Sequence, residues 1–260
     1  MLKKRKISAK VISQVELATG IFDLWLETEL ANMAKAGQFI CVYTKDMSKL
    51  LPRPISICEI SKDKTALRIV YRIEGAGTKE FSSYKPGDMV EILGTLGNGF
   101  PIEKAKGKTV VVMGGGIGVP PMLETAKQLS DIASVSSIMG YRNELTFLSK
   151  EFEEVAPIYL ATEDGSKGTK GNVIDAIKAS GITPDIIMAC GPMPMLRGIK
   201  QYAQGEGIEA YISLEERMAC GVGACLGCVC KTKEIDHHSH VYNTRICTDG
   251  PVFLAADVEI

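Results

Sequence analysis

The sequence predicts three successive units: a six-stranded antiparallel β-barrel over residues 1–100, a doubly wound α/β domain on a parallel sheet over 101–213, and a small C-terminal subdomain over 214–260. Three observations carry this prediction. Apolar and polar residues alternate with period two through the first hundred positions. β-branched runs then alternate with segments of helical spacing, and cysteines crowd into the tail.

The barrel strands come first. Phe22, Leu24 and Leu26 alternate with Asp23, Trp25 and Glu27, and Leu67, Ile69, Tyr71 and Ile73 alternate with Arg68, Val70 and Arg72. Such a pattern describes a strand with one face in a core. Further strands are expected near 7–14, 38–43, 55–60 and 89–93, punctuated by turns such as Lys85-Pro86-Gly87-Asp88. Short strands with little helix between them suit a small closed barrel.

The pattern changes after Gly94-Thr95-Leu96-Gly97-Asn98-Gly99. Residues 109–113 form a continuous β-branched run, as expected of a strand buried on both faces. Met122, Ala126, Leu129 and Ala133 then recur at helical spacing, followed by strands at 135–140 and 157–161, a helix at 173–180, a strand at 185–190, a helix at 194–204 and a strand at 208–213. Strand and helix in alternation predict a parallel sheet covered by helices.

Composition removes several function classes. Thirty Lys and Arg against thirty-one Asp and Glu leave a net charge of −1, without the basic excess of a nucleic-acid binder. No apolar run approaches the roughly 18 residues of a membrane span. The basic start, Lys3-Lys4-Arg5-Lys6, leads into alternating residues and lacks the apolar core of a signal peptide, so a cytoplasmic location is expected.

Of the 8 cysteines, Cys41, Cys58 and Cys190 sit singly in apolar runs, whereas Cys220, Cys225, Cys228 and Cys230 crowd together and Cys247 follows. The order C-x4-C-x2-C…C is the plant-type [2Fe–2S] spacing. Backbone N–H groups aimed at the sulfurs offset the negative charge of such a centre, and Gly221, Gly223 and Gly227 let the loop curl. Structural zinc also accepts four thiolates, but its sites pair two C-x2–4-C knuckles. Cys230 reads as a spare on a strand, with a role as third ligand left open. His237, His238 and His240 fit no Cys-x-His pattern and are expected on a hairpin turn.

Three loops point to phosphates. Arg53-Pro54-Ile55-Ser56 opens a barrel strand and offers a planar fork for a pyrophosphate together with a hydroxyl. Gly75-Ala76-Gly77-Thr78 precedes a short helix expected over 79–84, with Thr78 as its cap and glycine amides free for an anion. Flanking Val70-Tyr71-Arg72, these two motifs favour a flavin. Gly114-Gly115-Gly116-Ile117-Gly118 follows a buried strand and opens a helix, the context of a nucleotide-phosphate turn, although Pro121 replaces the last glycine of the dinucleotide fingerprint. Gly107-Lys108-Thr109 fails as a Walker A loop because Ile102 stands where its first glycine belongs. Cys190-Gly191-Pro192 ends a strand at the ligand-binding edge of the sheet, where the thiol is expected beside a nicotinamide ring. Glu163-Asp164-Gly165-Ser166 lies on the same edge, within reach of a ribose or as a plain turn, and Arg142 is a candidate for a 2′-phosphate.

In this order the units resemble the ferredoxin–NADP reductase superfamily. With the tail Cys220-x4-Cys225-x2-Cys228 and Cys247-Thr248-Asp249-Gly250-Pro251-Val252-Phe253, the chain looks like the electron-transfer subunits of class 1B dihydroorotate dehydrogenase. The resemblance implies FAD held by Arg53, Pro54, Ile55, Ser56, Val70, Tyr71, Arg72, Gly77 and Thr78. It implies a [2Fe–2S] cluster on Cys220, Cys225, Cys228 and Cys247, with NAD as the exchangeable acceptor. It also implies an FMN-containing catalytic partner, two copies of each subunit, and electrons passing from FMN through the cluster and FAD to NAD⁺ as dihydroorotate becomes orotate in pyrimidine biosynthesis. An apolar docking face is expected near Met218, Val222 and Leu226, with packing of the cysteine loop from inside as the alternative role of these residues. Two other readings remain: another flavin and iron–sulfur reductase, of the sulfide dehydrogenase or transhydrogenase type, and a non-catalytic metal-binding redox sensor.

Overall fold

The computed structural model describes residues 5–235 and 240–260. Its first lobe comprises β1 (Lys6–Ala18), β2 (Ile21–Glu27), β3 (Phe39–Val42), β4 (Arg53–Ile60), β5 (Ala66–Arg72), the short helix α1 (Ala76–Phe81) and β6 (Met89–Leu96). The strands close into an antiparallel six-stranded barrel in the order β1-β2-β5-β4-β3-β6. Closure comes from β6, which pairs with β1 from Lys6↔Leu93 to Lys10↔Met89 and with β3 at Cys41↔Leu93. No barrel edge is then left to template another chain. Leu24, Leu26, Ile57, Leu67, Ile69 and Ile92 fill the interior. Each buried aliphatic side chain contributes about 1.5–3 kcal/mol relative to exposure.

The barrel departs from the period-two expectation at β5. All residues from Ala66 to Tyr71 are buried, including Arg68 and Val70 on the outward face. The second lobe covers that face.

The second lobe runs through β7 (Thr109–Gly115), α2 (Val119–Ser130), β8 (Ser134–Tyr141), α3 (Ser149–Glu153), β9 (Ile158–Thr162), β10 (Thr169–Lys170), α4 (Val173–Ser180), β11 (Ile186–Cys190), α5 (Met193–Glu206) and β12 (Glu209–Ser213). Its sheet has the order β10-β9-β8-β7-β11-β12, with these strands parallel. Central strand β7 shows why its run reads as continuous. Val110 and Val112 enter a core with Met122, Leu123 and Ala126 of α2, while Val111 and Met113 face Val173 and Ile177 of α4 and Leu196 and Ile199 of α5. Ala133 lies beyond the end of α2.

The tail is tied to the second lobe through one strand. It forms β13 (Val229–Thr232), β14 (Asn243–Arg245), β15 (Val252–Leu254) and β16 (Val258–Glu259), and β13, β14 and β16 make a small sheet. Strand β15, however, joins the large sheet antiparallel to β12, at Tyr211↔Leu254, Ile212↔Phe253 and Ser213↔Val252. A boundary at 213 therefore cuts through one sheet, because the edge of β12 takes its hydrogen bonds from the tail. Cys230 lies on β13, partly buried against the core. His237 and His238 fall outside the described residues; His240 is exposed. No helix of the described residues is long and apolar enough to cross a membrane.

Candidate functional site

One cleft of about 500 Å³ opens where β4 and β5 leave the barrel. Arg53, Pro54, Ile55 and Ser56 line it from β4, Val70, Tyr71 and Arg72 from β5, and Thr78 from α1. The Arg53 guanidinium is steered by its own loop, donating from Nη1 to the Lys49 carbonyl at 3.3 Å and to that of Leu51. Gly77 leaves room for it: a Cβ there would lie 2.1 Å from Arg53 Nε. Tyr71 stacks on Phe22 at 5.8 Å and donates from its hydroxyl to Gln14 Oε1 at 3.0 Å, so its phenol is committed to the barrel. The glycine loop differs from expectation. Helix α1 starts at Ala76, not 79, and Thr78 is its third residue, whose Oγ1 accepts from the backbone of Glu74 at 2.9 Å and Gly75 at 3.2 Å. The Gly75 amide is thus used internally and is not free for an anion.

A second cleft of about 670 Å³ lies at the carboxyl ends of β7 and β11, where the strand order reverses. Doubly wound sheets bind ligands at this point. Gly115, Gly116 and Gly191 line it, with Arg142 and Glu163 at the ends of β8 and β9. Gly114 and Gly118 lie beneath the floor instead. A Cβ on Gly114 would come within 2.8 Å of Val119 Cα, and one on Gly118 within 2.4 Å of the Cys190 carbonyl oxygen. They let backbone segments approach, and do not face the cleft. Cys190 is also displaced from its expected place. Its side chain is fully buried, and burial raises its thiol pKa far above the ordinary range. At the start of α2, Pro120 and Pro121 carry no N–H, so the preceding glycine loop must supply most of the donors for an anion.

The two clefts meet. Arg72, Ile117 and Glu215 line both. Glu215 is reachable from solvent through the cleft yet ringed by protein, and this desolvation raises its carboxyl pKa while Arg72 opposes the rise. Ser213, Leu214 and Glu215 also line the first cleft and carry no motif in the sequence, and Met218 and Pro251 join them there. The available signal for Glu215 was its position just after β12, on the same carboxyl edge.

The cysteine loop sits against the barrel. Gly221 and Gly223 adopt φ of 68° and 83°. A Cβ on Gly221 would lie 3.1 Å from Cys41 Sγ, and one on Gly223 2.8 Å from Thr248 Cγ2, so the loop is pressed on both sides. The N–H groups of Val222 and Cys225 each donate to Cys220 Sγ at 3.4 Å. Burial works against the Cys220 thiolate, but these donors prevail and bring its pKa down to about 6. Cys247 is pushed up to about 12 by burial and by its hydrogen-bonded neighbour Cys228. The four thiols thus stand as two pairs, Cys220 with Cys225 and Cys228 with Cys247. Among the described residues no three His, Cys, Asp or Glu side chains close on one point. Two cysteine pairs, with N–H donors on the sulfur of Cys220, fit a binuclear iron–sulfur centre. Cys228 and Cys247 are buried and Cys225 is exposed. Of the expected docking residues, Val222 and Leu226 are 40% and 58% exposed, whereas Met218 is buried on the first cleft.

Asp249 holds the segment carrying Cys247. It accepts from Arg245 N at 2.9 Å, Arg245 Nε at 3.1 Å and Thr244 Oγ1 at 3.2 Å, and these bonds keep its carboxyl below the usual range despite burial. Asp249→Ala should weaken the retention of iron and sulfide by roughly tenfold, the low end of the affinity loss that follows when groups orienting a metal ligand are removed. FAD content should stay the same; colorimetric iron and sulfide assays alongside a flavin spectrum check this.

Barrel, switch-point cleft and thiol loop together define a two-lobed reductase of the ferredoxin–NADP reductase architecture with an iron–sulfur site in its tail. Known proteins agree. The iron–sulfur cluster binding domain of dihydroorotate dehydrogenase B matches residues 215–259. The chain is 43% identical over 254 residues to the dihydroorotate dehydrogenase B (NAD(+)) electron transfer subunits of Bacillus cereus (strain AH187) and Bacillus anthracis (strain CDC 684 / NRRL 3495), covering 95% of this chain and 96% of each relative. It belongs to that family of electron-transfer subunits. Among solved structures, an NADH-dependent reduced ferredoxin-NADP oxidoreductase superposes with a TM-score of 0.86 at 26% identity, over 96% of this chain and 89% of that one. A ferredoxin NADP+ reductase from Neisseria gonorrhoeae shares the fold at a TM-score of 0.67 and 17% identity, over 83% and 95% of the two chains.

Proposed function

We propose that this chain carries electrons between an FMN-containing dihydroorotate dehydrogenase subunit and NAD⁺, in a cytoplasmic complex with two copies of each subunit. One observation carries the reading: the cysteine loop and the flavin cleft share a wall. Gly221 rests on Cys41 of β3, Cys41 pairs in register with Pro54 of β4, and Pro54 lines the cleft. Met218, shortly before Cys220, lines the same cleft.

Bound FAD supplies hydride exchange with nicotinamide and single-electron exchange with an iron–sulfur centre. The chain's own residues divide the remaining work. Arg53 offers a fork to a pyrophosphate, Gly77 leaves room for that fork, and Ser56 offers a hydroxyl on the cleft wall. Gly116, where a Cβ would meet open space, lets a dinucleotide approach the backbone at the switch point, while Gly115 and Gly191 leave room for Met195 in the same wall. Arg72 and Glu215, common to both clefts, orient the meeting groups. Cys220, Cys225, Cys228 and Cys247 hold the cluster, the buried pair towards the barrel and exposed Cys225 towards a partner. Val222 and Leu226 flank Cys225 with apolar surface for that partner.

The chain mixed with an FMN-loaded catalytic subunit should reduce NAD⁺ when dihydroorotate is added. Alone, it should oxidise NADH with an artificial dye and leave dihydroorotate untouched. Reduction of ferredoxin or polysulfide without any dihydroorotate coupling would replace this reading with that of another reductase of the same fold. A zinc-containing protein without flavin absorbance would leave only a metal-binding module.

A further inference from the structure

An ion-pair network outside both clefts ties the lobes together. Arg68 of β5 is buried, with only 7% of its side chain exposed. Nε and Nη2 donate to Asp23 Oδ1 and Oδ2 of β2 at 2.9 and 2.8 Å, and Nη1 donates to Glu59 Oε2 of β4 at 3.0 Å. From the other lobe, Glu151 of α3 accepts from Nη2 at 3.0 Å and also from Nη1. Glu59 takes a second cation across the same junction, Lys127 of α2 at 2.6 Å. Beside it, Glu124 of α2 accepts from the Ile60 amide of β4 at 3.0 Å.

The elements joined here are those whose ends build the clefts. Strand β5 runs on from Arg68 to Arg72, β4 runs back from Glu59 to Ser56, and α2 begins directly after Ile117 and Gly118. The apolar core between the lobes, with Val70, Leu123 and Phe152, supplies adhesion but little directional preference. A planar guanidinium donating to three carboxylates has one geometry. Flavin and nicotinamide occupy different lobes in our functional reading, so the distance between their rings depends on how the lobes dock. A misplacement of about 1 Å in such a transfer costs up to about 100-fold in rate.

We infer that Arg68, held by Asp23 and Glu59 from the barrel and Glu151 from the sheet domain, is a positioning residue that sets the register between the two clefts. The inference rests on the assignment of FAD and nicotinamide to those clefts.

The test uses the full, cofactor-loaded chain and stopped-flow reduction of its flavin by NADH. Glu151 lies at the rim of the network with 35% of its side chain exposed, so Glu151→Gln keeps the shape and removes one anion. The rate constant for flavin reduction at saturating NADH should fall about tenfold, with the Kd for NADH, FAD content and iron content unchanged. The long-wavelength absorbance of stacked flavin and nicotinamide should weaken in parallel. Arg68→Lys keeps the charge but not the fork, and the same fall is expected with FAD retained. Wild-type rates and absorbance in both variants would overturn the inference alone, as would a loss merely proportional to lost FAD. A wild-type chain that binds FAD but is not reduced by NADH would overturn the assignment of the clefts and the inference with it.

Discussion

Replacing Cys225 or Cys247 with serine should empty the tail of iron while leaving the flavin half at work. Serine keeps the volume and removes the soft thiolate that iron–sulfur centres require. Iron and sulfide should drop by about tenfold or more, because a cluster lost from one ligand is lost whole. NADH-driven dye reduction should persist, since neither cysteine lines either cleft. Transfer from a dihydroorotate-oxidising partner to NAD⁺ should vanish. The two variants differ in fold stability. Cys225 is exposed, so its serine is solvated, whereas Cys247 is buried and serine there adds a hydroxyl to a site built around sulfur. An unsatisfied buried hydroxyl costs about 1–3 kcal/mol. A lower melting temperature is therefore expected for Cys247→Ser than for Cys225→Ser, beyond the loss of cluster binding that the two share. Iron analysis, flavin spectra, melting curves and the coupled assay read all four effects. Retained iron and retained coupling in both variants would refute the ligand assignment.

Gly77→Ala should strip FAD without unfolding the barrel. The introduced methyl would sit 2.1, 2.3 and 2.6 Å from Nε, Cζ and Nη2 of Arg53, and the arginine side chain, not the backbone, must yield. Alanine in a helix is otherwise favoured over glycine by about 1 kcal/mol. Fold and function therefore move in opposite directions. Each charge-assisted hydrogen bond lost from a displaced guanidinium is worth about 1.5–3 kcal/mol, so FAD affinity should fall by roughly 10–150-fold. Arg53→Ala should produce the same loss. Flavin retained on dialysis, compared with the melting temperature of the apoprotein, separates this outcome from simple destabilisation. Wild-type affinity in both variants would remove Arg53 from the flavin site.

Much of the architecture was legible from residue order. Val110 to Met113 read as doubly buried and proved to face helices on both sides. Leu24 and Leu26 read as barrel core and are fully buried. The residues from Arg53 to Ser56 read as a ligand wall and line one cleft. Other readings fell short where a second segment decided the outcome. Arg68 looked outward-facing until the other lobe covered it. Thr78 looked like a cap because hydroxyl residues before helices often are, but the helix begins earlier and its hydroxyl turns back to Glu74 and Gly75. Gly114 and Gly118 resembled phosphate-facing glycines, yet their missing side chains make space for Val119 and for the Cys190 carbonyl.

From residue order alone follow the strand and helix succession, the crowding of cysteines in the tail and the glycine turns at the strand ends. Such features depend on neighbours along the chain: side-chain periodicity, ligand spacing and the conformational reach of glycine. Folding in three dimensions alone decided that Glu215 and Arg72 stand where two clefts join, that β15 completes the large sheet, that Cys190 is withdrawn into the core, and that Arg68 bridges two lobes. Burial and charge pairing depend on whatever packs against a residue from afar, and that information is spread over the whole chain.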